Sequence, residues 1–315
     1  MKLVKKIFAD YRIPLLAILL FAVMAIIKPN FASAYNIYSI ADSVAGYGIA
    51  AIGFTFILLV GQLDISFGSV IALTACVFMM MLKAEMNFVL ALATALVLGC
   101  ACGALTGFFV ANFRLSPFIV SMTMQLVYKG IALTITKSTP VAMQHPVLLG
   151  IYNIKLFNII PITFILFLVL VFAVEFILRK TQYGRNLFLV GGNINAADNL
   201  GLKSNRYLWS AYIMQGLFAA IAGVVMMTRQ FSASGNLALQ GPLNVIPMVI
   251  VGGTSMAGGK GGAIKTLWGV LLMNIVYNAM TMFSIPAALQ PFVKGLILLI
   301  VIVSDKYMEN RHSKV

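Results

Sequence analysis

Charge is scarce in this chain. Of its 315 residues only 10% are charged, and Asp and Glu together number 8. Soluble domains run at about 25% charged and about 45–50% apolar residues, so a hydrophobic content of 61% excludes an ordinary soluble enzyme. It equally excludes a disordered or fibrous chain. Histidine occurs twice and cysteine three times, as Cys76, Cys100 and Cys102, all inside apolar runs. With no CxxC and no His/Cys cluster, neither a disulfide framework nor a zinc site is readable, and reduced, packed thiols are expected.

Acid is scarcer than base, and the net charge is +14. On a soluble chain that balance would point to nucleic acid. Here the mean hydropathy is +1.00, so the cations are expected to anchor loops at a membrane surface, with no nucleic-acid partner. Roughly 20 apolar residues cross a bilayer. Apolar runs between polar or Gly/Pro punctuation predict about ten spans: residues 13–27, 40–60, 66–82, 88–111, 117–136, 159–178, 207–228, 237–253, 262–283 and 288–304. The fold class expected is an all-α polytopic membrane protein forming one domain over residues 1–315. The eighth run carries Gly241, Pro242 and Pro247, which predicts a broken or partly re-entrant helix.

With the N-terminus placed in the cytoplasm, 15 of the 22 Lys and Arg fall inside, and five, Lys28, Lys83, Lys137, Lys155 and Arg229, fall outside. Lys129 and Lys294 stay within spans. Both termini are therefore expected in the cytoplasm. The basic start, the apolar run 13–27 and Ala32-Ser33-Ala34 resemble a secretory signal, but the many later spans favour an uncleaved first helix. Two loops are substantial: an outer one at 137–158, and a cation-rich inner one at 179–206 suited to docking a partner.

Few side chains in the spans carry chemistry. Gly99, Gly103 and Gly107 recur at i, i+4 and i+8, a helix-packing face. Asp64 and Ser66, in the inner segment GQLDISFGS, are candidates for capping the next helix or for gating. The turn GGTSMAGGKGG lacks the glycine and the Ser/Thr of a phosphate loop and predicts a tight turn, not a nucleotide site. Gln125 and Tyr128 share a face of the fifth span, and Asn274 and Asn278 a face of the ninth. They could form an interhelical hydrogen-bond seam or line a path for an uncharged, hydroxyl-rich solute. Only Asp42 and Glu175 are acidic within spans, both near the ends, so energy is expected from another subunit rather than an ion gradient.

The loop YGRNLFLVGGNINAADNLGL resembles the coupling loop of permease subunits of bacterial ABC sugar importers, the ribose/xylose/arabinose/galactose group. Its matching residues are Gly184, Arg185, Gly191, Gly192, Asn193, Ala196, Ala197 and Gly201, while Asn195 stands where the wider permease pattern has Glu. GQLDISFGS, SPFIV with Gly130 and Pro140-Val141, and VGGTSMAGGKGG are similar to the family's other motifs, in the same order. The resemblance implies a ten-helix subunit of the bacterial cytoplasmic (inner) membrane. Its expected partners are a cytoplasmic ATPase gripping residues 192–201, a periplasmic or lipid-anchored sugar-binding protein, and a second permease copy or a paralogue. It implies no catalytic residue and no cofactor in this chain, ATP and Mg²⁺ belonging to the ATPase. The cargo implied is a neutral monosaccharide, a ribose-like pentose or a hexose. The alternatives are the same machine for a nucleoside, a furanosyl signalling molecule or a branched-chain amino acid, or an ion-coupled carrier acting alone.

Overall fold

The computed structural model describes residues 2–238 and 240–312, with side chains described over 12–238 and 240–303. Lys2, Lys5, Lys6, Lys306, Arg311 and Lys314, counted above on the inner side, lie outside the described side chains. The architecture is helical, with α1 (Lys2–Ile27), α2 (Ala34–Leu59), α3 (Phe67–Lys83), α4 (Phe88–Phe113), α5 (Pro117–Ile135), α6 (Pro146–Asn153), α7 (Ile162–Lys180), α8 (Gln182–Gly192), α9 (Ile194–Asn199), α10 (Ser204–Gln230), α11 (Gly241–Gly252), α12 (Ala263–Met282) and α13 (Gln290–His312). Two residue-pair ladders complete it: β1 (Val141–Ala142) pairs antiparallel with β4 (Ser232–Ala233), and β2 (Lys155–Leu156) with β3 (Ile160–Pro161).

Among the described residues, six helices are long and apolar enough to cross a membrane: α2, α4, α5, α7, α10 and α12. Four shorter apolar stretches, Arg12–Ile27, Phe67–Lys83, Gly241–Gly252 and Gln290–Val303, fall on the other expected spans. The shortest is α11, whose 12 residues extend about 18 Å against about 30 Å of hydrocarbon. Pro247 stands inside it, and the chain before it enters the bundle without helix: a Cβ on Gly68, in the first turn of α3, would lie 2.6 Å from the Ala238 carbonyl. Irregular backbone at such depth is tolerated because protein covers it.

Burial sorts the helices into two layers. The apolar window of α2 is 83% buried and that of α10 72%, whereas those of α4, α5 and α7 are each 28% buried. So α2 and α10 lie at the centre, and α4, α5 and α7 turn apolar side chains such as Val97, Leu126 and Phe172 outward. Gly99, Gly103 and Gly107 of α4 face α10. A Cβ on Gly103 would sit 2.2 Å from the Tyr212 carbonyl oxygen, so only glycine permits this approach. Trp209 Nε1 donates to the Ala104 carbonyl across the same seam at 2.8 Å. Cys76 and Cys102 are buried free thiols and Cys100 is half-buried.

Candidate functional site

At one end of the bundle, three glycine-bearing segments that are far apart in sequence meet. Thr181 caps α8, accepting from the Gly184 amide at 3.2 Å, and Asn193 caps α9, accepting from the Ala196 amide at 3.0 Å. The end of α8 thereby presses on the end of α2 and on the turn before α12. The Gly259 amide donates to the Leu59 carbonyl at 2.9 Å. A Cβ on Gly191 would fall 1.7 Å from that same oxygen, and one on Gly258 2.4 Å from the Gly191 carbonyl. Gly61, from GQLDISFGS, closes the contact against Ala257 and Gly258.

Below this junction, α9 stands free on one side. Ala197 is buried, while Ile194, Asn195, Ala196 and Asp198 are exposed, and Leu200 is 72% exposed. Gly201 ends the helix at φ +80°, a left-handed conformation that suits glycine, with the Leu202 amide returning to the Ala197 carbonyl at 3.1 Å. Asn195 and Asp198 line a groove of about 310 Å³ with Gln62, Arg114 and Asn205. Arg185 is exposed on α8, and Gly192 has open space where a Cβ would be.

Next to the junction, Glu175 of α7 acts as a remote cap for α12. Its Oε2 accepts from the amides of Ala263 (2.7 Å) and Ile264 (3.2 Å), which would otherwise be free at the helix start. Arg179 completes the group, pairing with Glu175 Oε1 at 2.9 Å, donating to the Gly261 carbonyl at 2.8 Å and lying over the Phe188 ring. Asp64 is nearly fully buried in the turn between α2 and α3. Its Oδ1 accepts from the Ser66 amide at 2.7 Å, and burial pushes its carboxyl up to about 6. The Ser66 side chain makes no cap bond, so the carboxylate serves the turn rather than the first amides of α3.

The two polar stripes sit on different helix pairs. Tyr128 of α5 is buried against α4, where its hydroxyl donates to the Cys102 carbonyl at 2.7 Å and meets Thr106 Oγ1 at 2.9 Å. Gln125 is half-buried on the same helix. On α12, Asn278 and Asn36 of α2 exchange amide hydrogen bonds at 2.9 and 3.1 Å, and Asn274 Oδ1 accepts from Ser43 Oγ at 2.9 Å.

The α12 stripe leads to a feature that sequence reasoning missed. At the opposite end of the bundle from α8 and α9, a cavity of about 320 Å³ opens between α2 and α10, lined by Asp42, Ser43, Gly46, Tyr47, Arg229 and Gln230 among others. Arg229 Nη1 donates to Asp42 Oδ2 across it at 2.8 Å. One signal was present: an acid near the start of one span and a base at the end of another, at similar expected depth. Among the described residues, no group of three or more His, Cys, Asp or Glu could hold a metal ion.

Comparison with known proteins places this geometry in context. Residues 36–302 match the family described as branched-chain amino acid transport system / permease component. The chain is similar to the ribose import permease protein RbsC of Escherichia coli K12, at 32% identity over 291 residues covering 91% of each chain. It is 30% identical to the RbsC protein of Bacillus subtilis 168 over 295 residues, 91% of this chain and 90% of the relative. It is also 30% identical to the L-arabinose ABC transporter permease protein AraH of Azospirillum brasilense, over 93% of this chain and 86% of the relative. No solved structure matches.

Proposed function

Because the chain belongs to the branched-chain amino acid transport system / permease component family, we infer that it is the membrane-spanning permease subunit of an ATP-driven importer, and that its cargo is a neutral monosaccharide. The single observation that carries the cargo is the end-to-end similarity to ribose and arabinose permeases at 30–32% identity. The wider family description names amino acids. Relatives aligned over nine-tenths of the chain weigh more than a description shared by the whole family.

In this reading the six long helices and the four shorter apolar ones make ten spans in a bacterial inner membrane. Both termini lie in the cytoplasm, as does the end bearing α8 and α9. There α9 docks into a separate ATPase. Leu200 and Ile194 are large apolar side chains exposed at an end otherwise rich in cations, which suits burial against a partner. A sugar-binding protein delivers cargo at the opposite face, and two permease copies, or one with a paralogue, enclose the route. Gln125, Tyr128, Asn274 and Asn278 line or brace that route. ATP binding in the partner shifts the permease between outward- and inward-facing states by binding one more tightly than the other.

The docking role is tested on the exposed face of α9. Ala196→Arg should abolish co-purification of the ATPase and sugar uptake while leaving the amount of permease in the membrane unchanged. Ala197 is the wrong position for this purpose, being buried beneath the helix. Full transport by the Ala196→Arg protein would refute the docking.

A further inference from the structure

The cavity between α2 and α10 has a size, a charge arrangement and a setting that go beyond helix packing. We propose that it is a binding site for a single monosaccharide, recognised through adjacent hydroxyls by Asp42 and Arg229. The proposal rests on the importer reading and adds to it where, and by which groups, the cargo is held. At about 320 Å³ the cavity lies at the lower end of the range for small-molecule sites, suited to one sugar ring. Asp42 uses Oδ2 for Arg229, and among the described residues Oδ1 accepts no hydrogen bond. The Asp42 side chain is 10% exposed and that of Arg229 44%, so the carboxylate is sheltered while much of the guanidinium fork still faces open space.

This leaves an acceptor and a set of donors side by side. A sugar hydroxyl is both donor and acceptor, so one can donate to Oδ1 while its neighbour accepts from the guanidinium. The pair is neutral as a unit, and a neutral solute leaves no uncompensated charge at membrane depth. The walls complete the match. Ser43 donates its hydroxyl hydrogen bond to Asn274 Oδ1, which leaves its lone pairs for other donors. Tyr47 supplies a ring for the apolar face of a sugar, its hydroxyl set against the Asn244 amide in the first turn of α11. Asn244 is 3% exposed, and among the described residues its Oδ1 has no hydrogen-bond partner, a buried acceptor beside Tyr47.

The test uses the complete importer, permease with its own ATPase and binding protein, in proteoliposomes with radiolabelled D-ribose and L-arabinose as probes. Arg229→Lys keeps the charge and loses the fork; Asp42→Asn keeps the shape and loses the charge. Each should lower the maximal uptake rate of the transported sugar by about tenfold or more, the factor expected for a lost hydrogen bond to a charged group, with the complex still assembling. The double variant Asp42→Asn/Arg229→Gln leaves no unpaired charge and should show the same loss, so its uptake rate decides the question if either single variant fails to insert. Wild-type uptake rates in the assembled variants would overturn the site. Competition by excess leucine would also overturn it, because a zwitterion could split the ion pair. Uptake of neither these two pentoses nor D-glucose and D-galactose by the wild-type complex would instead refute the monosaccharide-importer reading beneath it.

Discussion

Replacing Gly191 with alanine adds one methyl group where the backbone of α8 meets that of α2. The new Cβ would lie 1.7 Å from the Leu59 carbonyl oxygen, and real Cβ atoms essentially never come under 3.0 Å, so the two backbones must part by more than 1 Å. Leu59 is not free to retreat, since its carbonyl holds the Gly259 amide at 2.9 Å. Forcing them apart costs about 1–3 kcal/mol in overpacking, and loss of that hydrogen bond adds about 1 kcal/mol. A total of about 2–4 kcal/mol is a large share of the ~5–15 kcal/mol by which folded proteins are stable. The neighbouring glycine is the control: a Cβ on Gly192 meets nothing within 4 Å, so Gly192→Ala should be nearly neutral. Thermal unfolding of the purified protein in detergent should place Gly191→Ala about 5 °C or more below both the wild type and Gly192→Ala. In the importer proposed above, a complex carrying Gly191→Ala should still hydrolyse ATP through its ATPase subunit, with little uptake. Equal melting temperatures for the two alanine variants would refute the close-packed junction.

Asp64→Asn tests the buried carboxyl. Its folded value, about 6, lies above the ordinary 3.8, so stability present at low pH is lost as pH rises through about 6, whereas an asparagine loses none. The stability advantage of Asp64→Asn should therefore grow by up to ~3 kcal/mol between about pH 4 and pH 7.5, and a pH-independent difference would contradict the assignment. Glu175→Gln removes the charge that serves Arg179 and the start of α12; it should destabilise by about 1–2 kcal/mol, measured by denaturant unfolding in detergent. A double-mutant cycle on Asn36 and Asn278 with leucine should give a coupling of about 0.6 kcal/mol, and a coupling of zero would mean that the reciprocal amide pair contributes nothing.

Lipid imposes so strong a rule on helix placement that much of the fold was legible in the amino-acid order. The run 66–82 became Phe67–Lys83, and 262–283 became Ala263–Met282. The shortfalls have local causes. α2 starts at Ala34, ahead of the expected residue 40, because Ser33 caps it and Asn36 buries its amide against Phe31 and Asn278. Polar residues there masked a helix start that the cap could have revealed. α6 was hidden in a polar loop, although His145-Pro146 is a helix-opening pair, with the ring nitrogen accepting from the Val147 amide. The short α11 was readable from its glycine and prolines. Each glycine-bearing motif was visible alone, but their meeting was not, since nothing local in Gly61, Gly191 or Gly259 names its partner. The cavity was least legible: Asp42 stood out as a rare acid within a span, but nothing local to it names Arg229, 187 residues away, as its partner.

Where α8, α2 and the turn before α12 touch, main chain rests on main chain with no side chain between. Side chains act as springs: they change rotamer and absorb small displacements. A joint built without them has no slack. In the importer proposed above, a push on α9 would pass through the end of α8 to the central helix α2 with little of the travel lost on the way.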